Sequence, residues 1–154
     1  MLSTEHLPLE NARARLRPMR LDDAADYAEG TEDELVRTFA HLPEPHYTTA
    51  SVTAMIEGAV RDGLDRGDLA VLTIADPRDD RFAGSLVLFD VTSGSEGAMA
   101  EIGFWLHPRA RGAGRAVAAV DLAARFARRC GLTRLTARTV TDNAASRHTL
   151  LRAG

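Results

Sequence analysis

The sequence predicts an α/β fold in which a mixed, mostly antiparallel sheet is flanked by helices. Three observations predict it. Residues 98–106 form an apolar, strand-like run that enters a basic, glycine-containing loop and leaves it as an amphipathic helix over 116–130. A further strand follows at 132–140. A strand–helix–strand connection within one sheet is right-handed and makes its two strands parallel. Two shorter apolar runs, 69–75 and 82–91, flank the turn Asp76-Pro77-Arg78-Asp79-Asp80 and form an antiparallel hairpin.

The elements follow in order. Residues 1–12 are polar and are expected to be ordered only by contact. Residues 14–19 alternate about Leu16 and read as a short edge strand, with Pro18 suited to an edge or a strand end. Asp22 and Asp23 supply N-terminal charge or a cap to a helix of about two turns that stops near Gly30. Residues 31–48 read as irregular, with Pro43 and Pro45 among His41, His46 and Tyr47. Val52, Met55, Ile56, Ala59 and Val60 put one apolar face on a helix over 49–64, which Gly63 and Gly67 end. Gly84 marks a bulge in the strand at 82–91. Residues 92–97 are a polar loop. In the helix at 116–130, positions 116, 117, 120, 123, 124 and 127 form the expected stripe, and Gly131 is its C-cap. No repeat and no second domain is evident, so residues 1–154 are read as one domain.

Composition narrows the function classes. Of 154 residues, 45% are hydrophobic and 27% charged, as in ordinary globular proteins. A formal net charge of −3 argues against nucleic acid as partner. Neither a long apolar run nor a signal-peptide pattern is seen, so no membrane role is expected and a cytoplasmic location is the default. Cys130 is the sole cysteine, which excludes an intramolecular disulfide and reads as a small core residue. No metal site is expected.

The chemistry concentrates in Trp105-Leu-His-Pro-Arg-Ala-Arg-Gly-Ala-Gly-Arg115. Gly112 and Gly114 permit a sharp turn and close approach of the backbone to a ligand. The first amides of the following helix have no intrahelical partner and lie at the positive end of its dipole. A phosphate or diphosphate suits such a place, and Arg109, Arg111 and Arg115 add forked donors. Neither common nucleotide fingerprint fits. Val117 stands where a dinucleotide-binding turn needs its third glycine, and no lysine follows as a P-loop requires.

Arg109-x-x-Gly112-x-Gly114 does fit the R/Q-x-x-G-x-G/A acyl-CoA diphosphate loop of the GNAT superfamily of N-acetyltransferases, and the chain resembles that superfamily along most of its length. Asp142-Asn143-Ala144-Ala145-Ser146 followed by Leu150-Leu151-Arg152-Ala153-Gly154 is similar to its N-x-x-S…L-x-x-x-G segment. Ala100-Glu101-Ile102-Gly103-Phe104-Trp105-Leu106 is similar to the strand signature of the RimJ/RimL-like branch, the ribosomal-protein N-terminal acetyltransferases. Leu16-Arg17-Pro18-Met19 with Asp22-Asp23-Ala24 is also typical. The resemblance implies the GNAT (acyl-CoA N-acyltransferase) fold. Members normally continue for two more strands, so the domain is expected to be C-terminally incomplete, with a sheet edge for a homodimer or another partner to complete.

The resemblance further implies acetyl-CoA as co-substrate and an amine as acceptor, either a protein N-terminus or a small amine. Main-chain amides of Arg111, Gly112, Ala113, Gly114 and Arg115 are expected to wrap the diphosphate, with the Arg109 side chain beside them. Trp105, Leu106 and His107 would line the pantetheine arm, His107 through its main chain. A bulge would free the Leu106 amide for the thioester oxygen, and Pro108 would end the pairing. Asn143 would bind the arm or cap a helix. Ser146, three residues on, would protonate the leaving sulfur or serve as an ordinary helix residue. Glu101 would take the amine's proton through water, or hold a neighbouring arginine. The rival readings are a non-catalytic acyl-CoA-binding or scaffold module and a nucleotide-binding protein.

Overall fold

A computed structural model describes residues 2–40, 42–95, 97–112 and 114–137. Among these residues six strands form one sheet in the order β1 (Leu9–Glu10), β2 (Arg15–Pro18), β3 (Ala70–Ala75), β4 (Phe82–Gly94), β5 (Gly97–Leu106) and β6 (Leu132–Ala137). All neighbours are antiparallel except β5 and β6, which are parallel, as the crossover predicts. The helices are α1 (Ala24–Gly30), α2 (Glu34–Phe39), α3 (Thr49–Met55), α4 (Arg61–Arg66) and α5 (Arg115–Arg129). This is the expected mixed sheet with flanking helices.

Two apolar layers cover the sheet. On one face α5 lays Ala119, Leu122, Ala123, Phe126 and Ala127 against Leu16, Leu72, Ile74, Leu86, Leu88 and Ile102. The buried stripe is rotated from the expected one. Ala116 and Val117 are only half-buried, while Ala119, Leu122 and Phe126 are fully covered, so the buried face is turned toward Leu122 and Phe126. On the other face α1, α3 and the turn after it bring Tyr27, Val52, Ile56 and Val60 onto Phe82 and Trp105.

Four expectations need correction. Residues 2–12 are structured: Leu2 is buried, and β1 pairs with β2, so the edge passes from β2 to β1. Residues 31–48 contain a helix, α2, whose N-cap Asp33 accepts a hydrogen bond from the Val36 amide at 3.2 Å. The helix expected over 49–64 is present, passing through a π-helical turn, Ile56–Val60, into α4. Gly63 lies inside it, where a Cβ would meet Leu69 Cβ at 2.7 Å, and Gly67 caps it at φ +79°. The 92–97 segment is mostly strand, with β4 reaching Gly94 and β5 starting at Gly97.

Gly84 does mark a bulge. Ile74 faces Gly84 while Ala75 faces Phe82, so Ala83 is an extra residue. The slip reverses the alternation. Ala83 joins the α5 face, and Phe82 turns to the opposite face against Trp105, with ring centres 5.8 Å apart. A Cβ on Gly84 would collide with the Trp105 carbonyl, so the bulge lets β4 and β5 close tightly at the end where the basic loop begins.

Beneath that end lies a buried ion pair. Arg17 grips Asp23 with two parallel bonds, Nη1–Oδ2 at 2.8 Å and Nη2–Oδ1 at 2.9 Å, and both side chains are buried. Asp23 Oδ2 also accepts from Thr73 Oγ1 and from the Arg20 amide, each at 2.8 Å. Arg17 Nε reaches Asp80 Oδ1 at 2.9 Å. The network ties α1 to β2, β3 and the β3–β4 turn.

Candidate functional site

The loop predicted to carry the chemistry lies between the end of β5 and the start of α5. The ladder stops at Leu106, and the His107 amide makes one last bond to the Ala83 carbonyl at 2.8 Å. Pro108–Ala110 then form a single 3-10 turn. The bulge expected to free the Leu106 amide is not in the β4–β5 ladder. That ladder is regular from Gly84↔Leu106 to Phe89↔Glu101, and its irregularity lies between Phe89 and Thr92.

Gly112 and Gly114 both adopt positive φ, +84° and +69°. Gly114 is the N-cap of α5 and offers no side chain to cap it, so the first-turn amides stay open to an outside acceptor. A 15-residue helix stands behind them. This cradle fits a diphosphate. The helix start also shows that the motif occurs twice. Arg111-x-x-Gly114-x-Ala116 has the same spacing two residues on and places its glycine directly before the helix.

The three arginines are held by aspartates from other elements. Arg109 Nη2 lies 3.0 Å from Asp26 of α1. Arg111 Nη2 donates to Asp33 at 2.7 Å and to the Leu106 carbonyl at 3.3 Å. Arg115 places Nε on the Arg13 carbonyl, Nη1 on the Ala110 carbonyl and Nη2 on Asp76. Arg115 is thus a brace, with all three nitrogens engaged in protein contacts; its expected role falls to the main-chain amide. The Arg111 guanidinium holds the Asp33 carboxyl below the usual carboxylate range. Hydrogen bonds from the Arg78 side chain and amide hold Asp76 lower still, and Arg115 adds to this.

The His107 side chain is engaged within the protein. Its imidazole is buried and caps the 3-10 turn, with Nδ1 accepting from the Arg109 amide at 3.3 Å. Nε2 must then carry the proton, and it donates to Glu29 Oε1 at 2.8 Å. His107 and Trp105 share a face and pack on Gly30, where a Cβ would meet Trp105 Cζ3 at 2.6 Å. Tyr27 and Trp105 meet edge to face, ring centres 5.0 Å apart. The glycine at the end of α1 thus lets the helix close over the last residues of β5.

Glu101 lies on β5 on the Trp105 side, as alternation predicts, half-buried and with Oε2 shielded from solvent. Asn143, Ser146 and Ala113 lie outside the described residues. Sequence reasoning missed Glu29, Asp26, Asp33 and Arg13. The Arg13 guanidinium lies so close over Gly114 that a Cβ there would strike it. No local pattern reveals these residues, because each meets the loop from about 80 to 100 positions away. Among the described residues no group of His, Cys, Asp and Glu could hold a metal ion, and no helix is long and apolar enough to cross a membrane.

Comparisons with known proteins agree with this fold. RimJ of Mycobacterium smegmatis, solved with a CoA-disulfide, superposes with a TM-score of 0.79 at 25% identity, over 96% of this chain and 73% of RimJ. A ribosomal-protein-S5-alanine acetyltransferase from Vibrio fischeri gives 0.79 at 15% identity, over 96% of this chain and 82% of its own. RimL, a ribosomal L7/L12 α-N-protein acetyltransferase solved with coenzyme A, gives 0.79 at 18%, over 94% and 81%. No protein of curated function matches the sequence. The family model of the GNAT acetyltransferase domain matches residues 13–154. With the fold, the glycine-led helix start and this match in agreement, the chain belongs to the GNAT family of N-acetyltransferases.

Proposed function

We propose that this protein moves an acetyl group from acetyl-CoA to the α-amine at a protein N-terminus, with small amines as the other acceptor class. One observation carries the cofactor half of this reading: Gly114, in the left-handed region and without a side-chain cap, opens the first turn of α5 beside the end of β5. The acceptor half rests on likeness to the RimJ, RimL and S5-alanine enzymes.

Acetyl-CoA supplies an acetyl thioester. Amides from Arg111 to Arg115 hold its diphosphate, and Arg109 and Arg111 add charge. The last residues of β5, Trp105 to His107, align the pantetheine arm beside the strand. Asn143 binds the pantetheine arm. The amine nitrogen attacks the carbonyl carbon, and the C–S bond breaks. Ser146 gives the departing sulfur its proton. Glu101 accepts the amine's proton through water, a light task because an α-amine has a pKa near 8 and is partly neutral at pH 7–8. No covalent acetyl-enzyme is needed. Cys130 sits at the far end of α5, against the α5-face core.

The test is thiol release from acetyl-CoA in the presence of N-terminal peptides and of small amines. Release with peptides supports the full reading, and release with small amines alone moves the acceptor class. Tight acetyl-CoA binding without release on any amine would support a non-catalytic acyl-CoA-binding module.

A further inference from the structure

The β3–β4 turn carries arginines that the acetyl transfer above leaves unused. An open cleft of about 290 Å³ lies between this turn and the loop. Arg78 and Arg81 line it from the turn, and Arg109, Arg111 and Arg115 from the loop side; Asp76 and Asp79 are the lining acids. The other carboxylates that reach these arginines, Asp26 and Asp33, do not line the cleft. Positive charge is thus in excess here, within a chain of formal net charge −3.

Not all of that charge is committed. Arg81 approaches its nearest carboxylate, Asp26, at 3.7 Å and shares it with Arg109. The Arg78 side chain grips Asp76 through Nε–Oδ1 at 3.1 Å and Nη2–Oδ2 at 2.9 Å, yet it is 85% exposed and presents its outer edge to the cleft mouth. Forked, permanently charged guanidinium groups converging on one hollow match an oxyanion such as a phosphate. The hollow shares three arginines with the loop assigned to the diphosphate. A second phosphate on the same ligand therefore arrives at a high effective concentration, which a free anion does not enjoy.

We propose that this cleft takes the phosphomonoester on the ribose of coenzyme A, with Arg78 and Arg81 as its contacts, and so selects the phosphorylated cofactor over its dephosphorylated form. The inference rests on the acyl-CoA reading. The experiment is calorimetric titration of coenzyme A and of dephospho-CoA into the wild-type chain and into an Arg78→Ala/Arg81→Ala double variant. The expected result is a wild-type preference for coenzyme A of about tenfold or more. The double variant loses that preference while its affinity for dephospho-CoA stays the same. Both side chains are largely exposed, so a melting temperature within a few degrees of the wild type verifies the fold. Equal wild-type binding of the two ligands overturns the subsite, as does a double variant that weakens both by one factor. If the wild type binds neither, the acyl-CoA reading falls and takes this inference with it.

Discussion

Replacing Gly112 by glutamate separates the ligand role of the loop from its folding role. Gly112 has φ +84°, and nothing lies within 4 Å of a Cβ built on it. The substitution therefore introduces left-handed backbone strain of about 1–2 kcal/mol and no internal clash. Gly131, at the other end of α5, has φ +87° and equally open surroundings, so Gly131→Glu carries the same strain far from the loop. Both variants should melt about 2–8 °C below the wild type. Their ligand binding should differ sharply. A carboxylate roughly 4 Å from a bound phosphate repels it by about 4 kcal/mol at an effective dielectric constant near 20, or about a thousandfold in affinity. Calorimetry with acetyl-CoA should show binding lost in Gly112→Glu and kept in Gly131→Glu. Equal affinities in the two variants would refute the placement of the diphosphate at this loop.

Other perturbations test the supports. Asp23→Ala leaves the buried Arg17 short of its main partner and should cost about 3–5 kcal/mol in chemical denaturation; Arg17→Met/Asp23→Leu should recover part of that loss, and a neutral effect of Asp23→Ala would dismiss the network as an anchor. Asp33 and Asp76 have carboxyl pKa values depressed by their arginine partners. Their stabilisation is present above the unfolded carboxylate pKa, near 4, and fades as pH falls below it. Melting temperature should therefore drop from pH 5 to pH 2 more steeply in the wild type than in Asp33→Asn/Asp76→Asn. Ser146→Ala should lower kcat of acetyl transfer about a hundredfold with little change in acetyl-CoA affinity; an unchanged kcat would remove Ser146 as the acid.

Periodicity and turn chemistry made the sheet readable. The alternation about Leu16, the apolar runs around the 76–80 turn and the glycine at the bulge each produce a local signal that the structure repeats. The parallel β5–β6 pair follows from the strand–helix–strand connection. Local patterns failed where long-range packing decides. The α5 stripe turned toward its largest side chains, Leu122 and Phe126. Gly63 reads as a helix end in isolation, yet it is a contact point for Leu69 inside a longer helix. Residues 2–12 look like a polar tail, but Leu2 is buried and Asn11 bonds to the Ala118 carbonyl at 3.1 Å.

The candidate site divides in the same way. Its glycines and the helix start are contiguous in sequence and therefore legible. The partners that orient it are not, since Glu29, Asp33, Asp26 and Asp76 come from three other elements and no spacing rule links them to the loop. That is also why the arginines read at first as free phosphate ligands. Their distant carboxylates become visible only after folding.

The central claim is that backbone amides at the start of α5 grip the diphosphate of the cofactor. Amide proton–nitrogen shifts, followed while acetyl-CoA is added, test it most directly. The account predicts that the largest changes fall on Arg111, Gly112, Gly114 and Arg115, saturating together with thiol-release activity. Saturation of activity with those amides unmoved, and the large shifts elsewhere, would contradict it.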